Sequence, residues 1–356
     1  MTSIKSRTFI LYDLVEGGVL FMRNDTELSH LKGLLDAFDW LPVTQILGKK
    51  RYSRRGRKKE FSIINLFKAF LLKAYLLIDD NTVLAKRLKE NMDYLEFCNL
   101  LTTPSHDTLS KFEKQFSHRF EYVFNFLDDI LEDNCVFEDD DMSFDGTDIS
   151  VPIKIKQTPH RYHFGAKSNK KKFHGFWLMI LASIKHQMPR RFVVGYAREG
   201  QIRLAKDFFK QSQIDDSKNN SFIIMDGIFD FREMHEIIIF TQHKIPLIGY
   251  NKRGSKFEER INLPSTDWHF ILNPVYKNNE FVLQEFKRRT SIERVNSHSK
   301  IYTQICLIQN KIKKSQTIKK TTVETIVVFS FMLEQFKLLA KIRLKQVQQT
   351  LTVYDQ

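Results

Sequence analysis

"SFIIMDG", residues 221–227, ends an apolar run on an aspartate. Phe222, Ile223, Ile224 and Met225 have the length and character of a buried strand. A charge beside such a run is costly to desolvate unless something compensates it. Ligand sites in α/β sheets form beyond the C-terminal ends of strands. Asp226 is therefore a candidate site residue, and its neighbours in a sheet become the question.

Upstream, "MSFDGTDISV" (142–151), "FWLMILASI" (176–184) and "RFVVGYA" (191–197) read as strands, with "KHQMPR" turning between the last two. "IRLAKDFFKQSQ" reads as a helix between them and 221–227. Downstream, "FREMHEIIIFTQH" reads as a helix and "KIPLIGY" as a strand. The first three strands suit antiparallel neighbours, and those joined by helices suit parallel ones. The expected class is α/β, a mixed sheet flanked by helices. No Gly or Pro follows Pro274, and the remainder reads as long helices.

Before the strands the pattern is helical, at about 61–78, 81–93 and 107–127, giving an all-α region. Ser105 or Asp107 suits the cap of the third helix. A short turn before a helix carrying Thr108, Ser110, Lys111 and Lys114 resembles a helix-turn-helix, with an ordinary bundle bearing a solvated lysine face as the alternative. "FSIINLFKAFLLKAYLLI" is broken by Lys68 and Lys73 and suits a buried amphipathic helix, not a membrane span. "DDILEDNCVFEDDD" (128–141) reads as a helix end and a solvated linker. The expected division is a helical DNA-binding domain over 1–135, a catalytic domain over 136–340, and a helix end or tail over 341–356.

The net charge of +14 and pI near 9.5 favour a polyanion as partner, most plausibly nucleic acid. Residues 49–59, "KKRYSRRGRKK", place eight cations in eleven positions, with Arg54, Arg55, Arg57 and Lys58 as candidate phosphate contacts. Lys252 and Arg253, after the last strand, are two more. Cys98, Cys135 and Cys306 have neither zinc spacing nor a disulfide pattern, which suits a reducing compartment.

Two more carboxylates join Asp226. Asp145 lies inside the first strand, in "FDGTD". Glu293 lies in "FKRRTSIERVNSHSK" (286–300), where Phe286, Arg289, Glu293 and Lys300 fall within roughly 60° of arc on a helix. Arg289 and Glu293 are also an i,i+4 pair, which alone would be a surface salt bridge. Two strand carboxylates and one on a following helix suit a pair of divalent ions about 3.5–4 Å apart. Hard oxygen donors favour Mg²⁺ or Mn²⁺ over zinc. Asp230 suits a helix N-cap.

The chain resembles the DDE transposases of bacterial insertion sequences, in the branch whose acidic helix reads Tyr, two residues, Arg, three residues, Glu, six residues, Lys. Phe286, Arg289, Glu293 and Lys300 stand at that spacing, with phenylalanine in place of tyrosine. "FDGTD" resembles the family's first aspartate strand and "IIMDGIFDF" its second. "GRKKEFSIINLFKAFLLKAYLLIDDNTVLAKRL" followed by "DTLSKFEKQF" resembles its N-terminal helical domain. The resemblance implies an RNase H-like catalytic domain with Asp145, Asp226 and Glu293 as metal-binding catalytic residues. It implies DNA cleavage at element ends and attack of the freed 3′-OH on target DNA. Arg289, Lys300 and Lys111 would contact that DNA. It also implies double-stranded DNA as partner, a homodimer on paired ends, and a cytoplasmic, nucleoid-associated place in a bacterial cell. The 67 residues from Asp226 to Glu293 leave little room for the insertion linked with hairpin formation, so the route of strand cleavage stays open. The alternatives are an RNase H-like nuclease that stops after hydrolysis, or a decayed transposase that only binds DNA.

Overall fold

The computed structural model describes residues 9–11, 21–23, 25–48, 61–78, 80–134, 136–137, 140–150, 164–168, 171–211, 221–249, 280, 284, 287–289, 292–296 and 319–354. A short antiparallel pair, β1 (Phe9–Leu11) and β2 (Phe21–Arg23), precedes seven helices. These are α1 (Asp25–Ala37), α2 (Leu41–Leu47), α3 (Ile63–Tyr75), α4 (Asn81–Glu90), α5 (Met92–Phe97), α6 (His106–Phe116) and α7 (Phe120–Asp133).

Helix α3 lies at the centre of this region. Ser62 caps it, its hydroxyl accepting from the Asn65 N–H at 3.0 Å. Leu66 through Tyr75 are all buried, Lys68 and Lys73 included. The lysines therefore do not mark a wet face, as their spacing suggested. Lys68 Nζ lies 3.0 Å from Asp36, and Lys73 Nζ donates to Asn81 Oδ1 at 2.7 Å. Buried ammonium groups need such partners. Ser105 caps α6 by accepting from the Thr108 N–H.

The sheet has the core order β6-β5-β3-β7-β8: β6 (Met188–Tyr196), β5 (Lys171–Ser183), β3 (Met142–Ser150), β7 (Phe222–Met225) and β8 (Ile245–Ile248). β4 (Phe164–Ser168) pairs with the start of β5. β3, β5 and β6 are antiparallel neighbours, while β7 and β8 run parallel to β3. This is the mixed sheet expected from the strand and helix order.

Helices cover both faces. Alternation along β3 sends Met142 and Phe144 to one side and Ile149 to the other. On the first side Phe144 meets Phe208 and Phe209 of α8 (Gln201–Gln211), with ring centroids 5.3 and 4.7 Å away. α8 comes close because position 195 is glycine: a Cβ there would lie 2.3 Å from Leu204. α9 (Arg232–Glu236) buries Met234 against the same core. On the second side Ile149, Leu178 and Ile180 share a core with Ile292, Val295 and a long helix, Lys320–Tyr354. That helix continues into the N-terminal bundle, where Phe329 lies 4.7 Å from Phe120 and 5.2 Å from Phe67, ring centre to ring centre. No helix among the described residues is long and apolar enough to cross a membrane.

The helix end expected in 128–141 is present, since α7 runs to Asp133, but three carboxylates of the stretch are not solvated. Asp128 is fully buried beneath Arg190, whose guanidinium lies 3.1 Å away, and it also pairs with Arg191. Asp140 takes the Ser183 hydroxyl and accepts from the Lys185 N–H at 2.9 Å. Asp141 accepts from the Phe222 N–H at 2.8 Å and pairs with Arg288 at 2.6 Å. Dense charge read as solvation, yet each of these carboxylates has a partner distant in sequence.

A candidate acidic site at the strand ends

Parallel pairing of β3 with β7 sets Phe144 opposite Met225. The next residue of each strand is an aspartate, so Asp145 and Asp226 emerge side by side. Asp145 falls on the same side of β3 as Ile149, the side covered by the 292–296 helix. That helix is seated by Ile292 and Val295, which are buried three residues apart in the shared core. Glu293 and Asn296 then stand on the flank beside the strand ends.

Two of the three carboxylates pair with one arginine, and the third feels its charge. Arg289 Nη1 lies 3.0 Å from Asp226 Oδ1, and Nη2 donates to Glu293 Oε1 at 2.9 Å. The i,i+4 pair is present, and the same guanidinium also reaches a strand end that the helix spacing could not reveal. Asp226 Oδ1 additionally accepts from the Gly227 N–H at 2.7 Å. Asp226 and Glu293 are about half exposed.

Asp145 is half-buried, and both of its oxygens are held. Oδ1 accepts from the Gly146 N–H at 2.7 Å, and Oδ2 accepts from Asn296 Nδ2 at 2.9 Å. Burial pushes its pKa up to about 6. The Gly146 N–H and Arg289 work against that rise, and the charges of Asp226 and Glu293 add to it. Gly146 makes room for the neighbouring strand, since a Cβ there would lie 2.8 Å from Met179 Sδ.

Three oxygen-donor carboxylates at one edge are the chemistry a hard divalent cation takes. As the side chains stand, the described residues contain no group of three or more His, Cys, Asp or Glu that could hold a metal ion. The Arg289 fork supplies the positive charge between Asp226 and Glu293. Carboxylate oxygens are the donors Mg²⁺ or Mn²⁺ takes, and here Arg289 occupies two of the three groups.

The other sequence-derived residues divide in two. Lys111 is exposed on α6, whose buried side carries Leu109, Phe112 and Phe116. Ser110 on the same helix is tied back to Asn81 at 3.1 Å, so its hydroxyl serves the bundle. Arg54, Arg55, Arg57, Lys58, Lys252, Arg253, Phe286 and Lys300 lie outside the described residues. Asp230 is not an N-cap: Phe231 takes that position on α9, and Asp230 is buried 3.3 Å from His235. Asn296 was missed by sequence reading. Its signal was spacing, since it stands three residues after Glu293 and four before Lys300, on the same helical face.

Residues 21–115 match the family described as Transposase domain (DUF772). The match ends before the sheet begins. The comparison with curated proteins finds no match. Among solved structures the chain is similar to a piggyBac transposase synaptic complex with hairpin DNA, determined by cryo-EM. Identity is 10%, the alignment covers 90% of this chain and 79% of that one, and the TM-score is 0.36.

Proposed function

We propose that this chain is a DNA transposase whose chemistry resides at the acidic edge of the sheet. The observation that carries this reading is that Arg289 pairs with both Asp226 and Glu293 where β7 ends against β3, close enough for all three charges to act on Asp145 within β3. The transposase-domain match over residues 21–115 supports it from a separate part of the chain. Three antiparallel strands followed by two parallel ones support an RNase H-like catalytic domain.

Asp145, Asp226 and Glu293 would hold Mg²⁺ or Mn²⁺. When bound, such ions activate an attacking oxygen and stabilise a leaving one at phosphorus. The chain's own residues do the rest. The Gly146 N–H and Asn296 fix the Asp145 carboxylate. Arg289 is the residue that changes partner: a guanidinium fork that spans two carboxylates also matches two phosphate oxygens. DNA entering this edge offers that exchange, and it frees Asp226 and Glu293. The basic run at 49–59 and the exposed face of α6, including Lys111, would hold DNA through its phosphates. The reaction is hydrolysis at an element end followed by attack of the 3′-OH on target DNA.

Glu293→Gln tests this reading, because it keeps the side chain's shape and removes its charge. End cleavage and strand transfer in Mg²⁺ or Mn²⁺ should both collapse, while gel-shift affinity for the same DNA holds or rises. Near-normal cleavage by this variant would end the proposal. Cleavage without strand transfer by the unaltered chain would favour the nuclease reading.

A further inference from the structure

A helix that reads DNA bases does so with the residues at its start, which reach base edges in the groove. At the start of α6 those groups are engaged within the chain. The Thr108 hydroxyl lies 3.0 Å from that of Ser105, which caps the helix. His106 Nε2 lies 3.3 Å from Asp107, whose carboxylate, 72% exposed, sets a negative charge where phosphates would approach. Ser110 accepts from Asn81 Nδ2 at 3.1 Å, on the flank that faces α4. What α6 turns outward is cationic. Lys111 and Lys114 are exposed about 60° apart round the helix, opposite the buried Leu109, Phe112 and Phe116. α4 repeats the pattern, with Lys86 and Lys89 exposed at the same spacing and Leu84 and Leu88 buried behind them. The two helices pack side by side, and Asn81 joins them, donating also to Glu113 at 2.8 Å. Each acid of the pair is occupied: Glu90 by Lys86 at 3.7 Å, Asp107 by His106, Glu113 by Asn81. Lys89, Lys111 and Lys114 have no partner among the described residues.

We propose that the outer faces of α4 and α6 form one surface for the phosphate backbone of duplex DNA, holding it through Lys86, Lys89, Lys111 and Lys114 without reading its sequence. This rests on the proposed function and deepens it: α4 joins α6 in the interface, and the occupant is recognised by backbone chemistry rather than by bases. Lysine is a point charge on a flexible stem, which suits a phosphate, whereas base edges are read by paired donors such as the arginine fork. Arg87, also exposed on α4, stands about 160° round the helix from Lys89 and lies off this surface. The hydroxyls of Thr108 and Ser110, which could have read bases, instead cap α6 and tie it to α4. The network around Asn81 therefore fixes the spacing of the two lysine pairs, and its Oδ1 takes Lys73 from within the bundle at 2.7 Å.

The test uses the full chain in chelator and gel-shift titrations over a range of salt. Two duplexes of equal length serve as probes, one taken from the DNA flanking the gene and the other a shuffle of its sequence. Lys86→Ala combined with Lys89→Ala should reduce the slope of log affinity against log salt by about 1.8, at about 0.9 for each phosphate contact, and equally on both duplexes. Thr108→Ala should leave the ratio of the two affinities unchanged, and Arg87→Ala should leave the slope unchanged. These cations are exposed, so melting temperatures should hold and the affinities stay comparable. An unchanged slope in the double lysine variant overturns the inference, as does an equal fall for each cation removed when Arg87 is the one replaced. A shift of about tenfold in the affinity ratio with Thr108→Ala would show bases being read from this face and overturn it too. An unaltered chain that binds neither duplex overturns both the inference and the proposed function. Binding as expected, with no cleavage of the flanking duplex once Mg²⁺ is supplied, would support the inference and count against the proposed function alone.

Discussion

Two clusters of carboxylates in this chain have opposite characters. At the junction of α7 with β6, fully buried Asp128 meets two arginines, Arg190 and Arg191, and Glu132 meets Arg190 at 2.6 Å. Where β7 ends against β3, Asp226 and Glu293 share a single guanidinium, and Asp145 lies near enough to feel all three charges. The first cluster is compensated and closed to solvent, and it joins the helical bundle to the sheet. Among the described residues the second sets three carboxylates against one guanidinium, and its most enclosed member has its pKa raised to about 6, chiefly by burial. Burial of acid alone therefore does not mark a site. What differs between the two is the number of described cations set against the acids.

Paired substitutions should separate the two clusters most strongly. Asp145→Asn should reduce end cleavage ten-thousandfold or more, about 5 kcal/mol at the transition state. The metal-free variant should melt at or above the temperature of the unaltered chain. Asp128→Ala should do the opposite, lowering stability in urea by about 3 kcal/mol by leaving buried guanidinium charge unpaired. The expected loss sits low in the range for such sites because Glu132 remains against Arg190. If Asp145→Asn unfolded the chain as readily as Asp128→Ala, the distinction between lock and site would be lost.

A smaller effect sharpens the same contrast. The folded-state pKa of Asp145, about 6, lies above its ordinary 3.8. Its contribution to stability is therefore complete below about pH 4 and is lost as the pH rises toward 6. Unfolding curves of the metal-free chain and of Asp145→Asn should diverge across that window, the unaltered chain weakening relative to the variant as pH rises. Parallel curves would show that the edge is better compensated than the geometry indicates. The smallest change is expected at Lys111, exposed on α6. Lys111→Ala should lower the slope of log affinity against log salt by about 0.9, without altering the cleavage step. An unchanged slope would remove that face from the DNA interface.

Much of the site was legible because its parts were local signals. Asp226 ended an apolar run, Asp145 interrupted a strand, and Glu293 stood at a fixed helical spacing from Arg289. That β7 and β8 run parallel followed from the helices between strands, whereas the placing of β7 next to β3, which sets Asp145 beside Asp226, did not. What was not legible was the identity of partners across the fold. Nothing near Asp128 in sequence announces Arg190, and the density of acid around it suggested water. The second contact of Arg289, to Asp226, depends on how the 292–296 helix seats Ile292 and Val295. Lys68 and Lys73 read as breaks in an apolar run because their partners, Asp36 and Asn81, belong to other helices. Asn296 shared the face already recognised, but a neutral amide gives no charge signal.

The long helix Lys320–Tyr354 has a consequence for how the molecule is made. Phe329 sits among Phe67, Phe70 and Phe120, so aromatic rings from the early helices wait for one synthesised much later. A nascent chain emerging through α7 has its basic segments but not the residue that closes its core. Chains build from the N-terminus, and contacts this distant in sequence form late. The bundle is therefore completed only after the sheet and its acidic edge have left the ribosome. The helical bundle and the acidic cluster mature together, and a prematurely terminated chain is left with exposed phenylalanine.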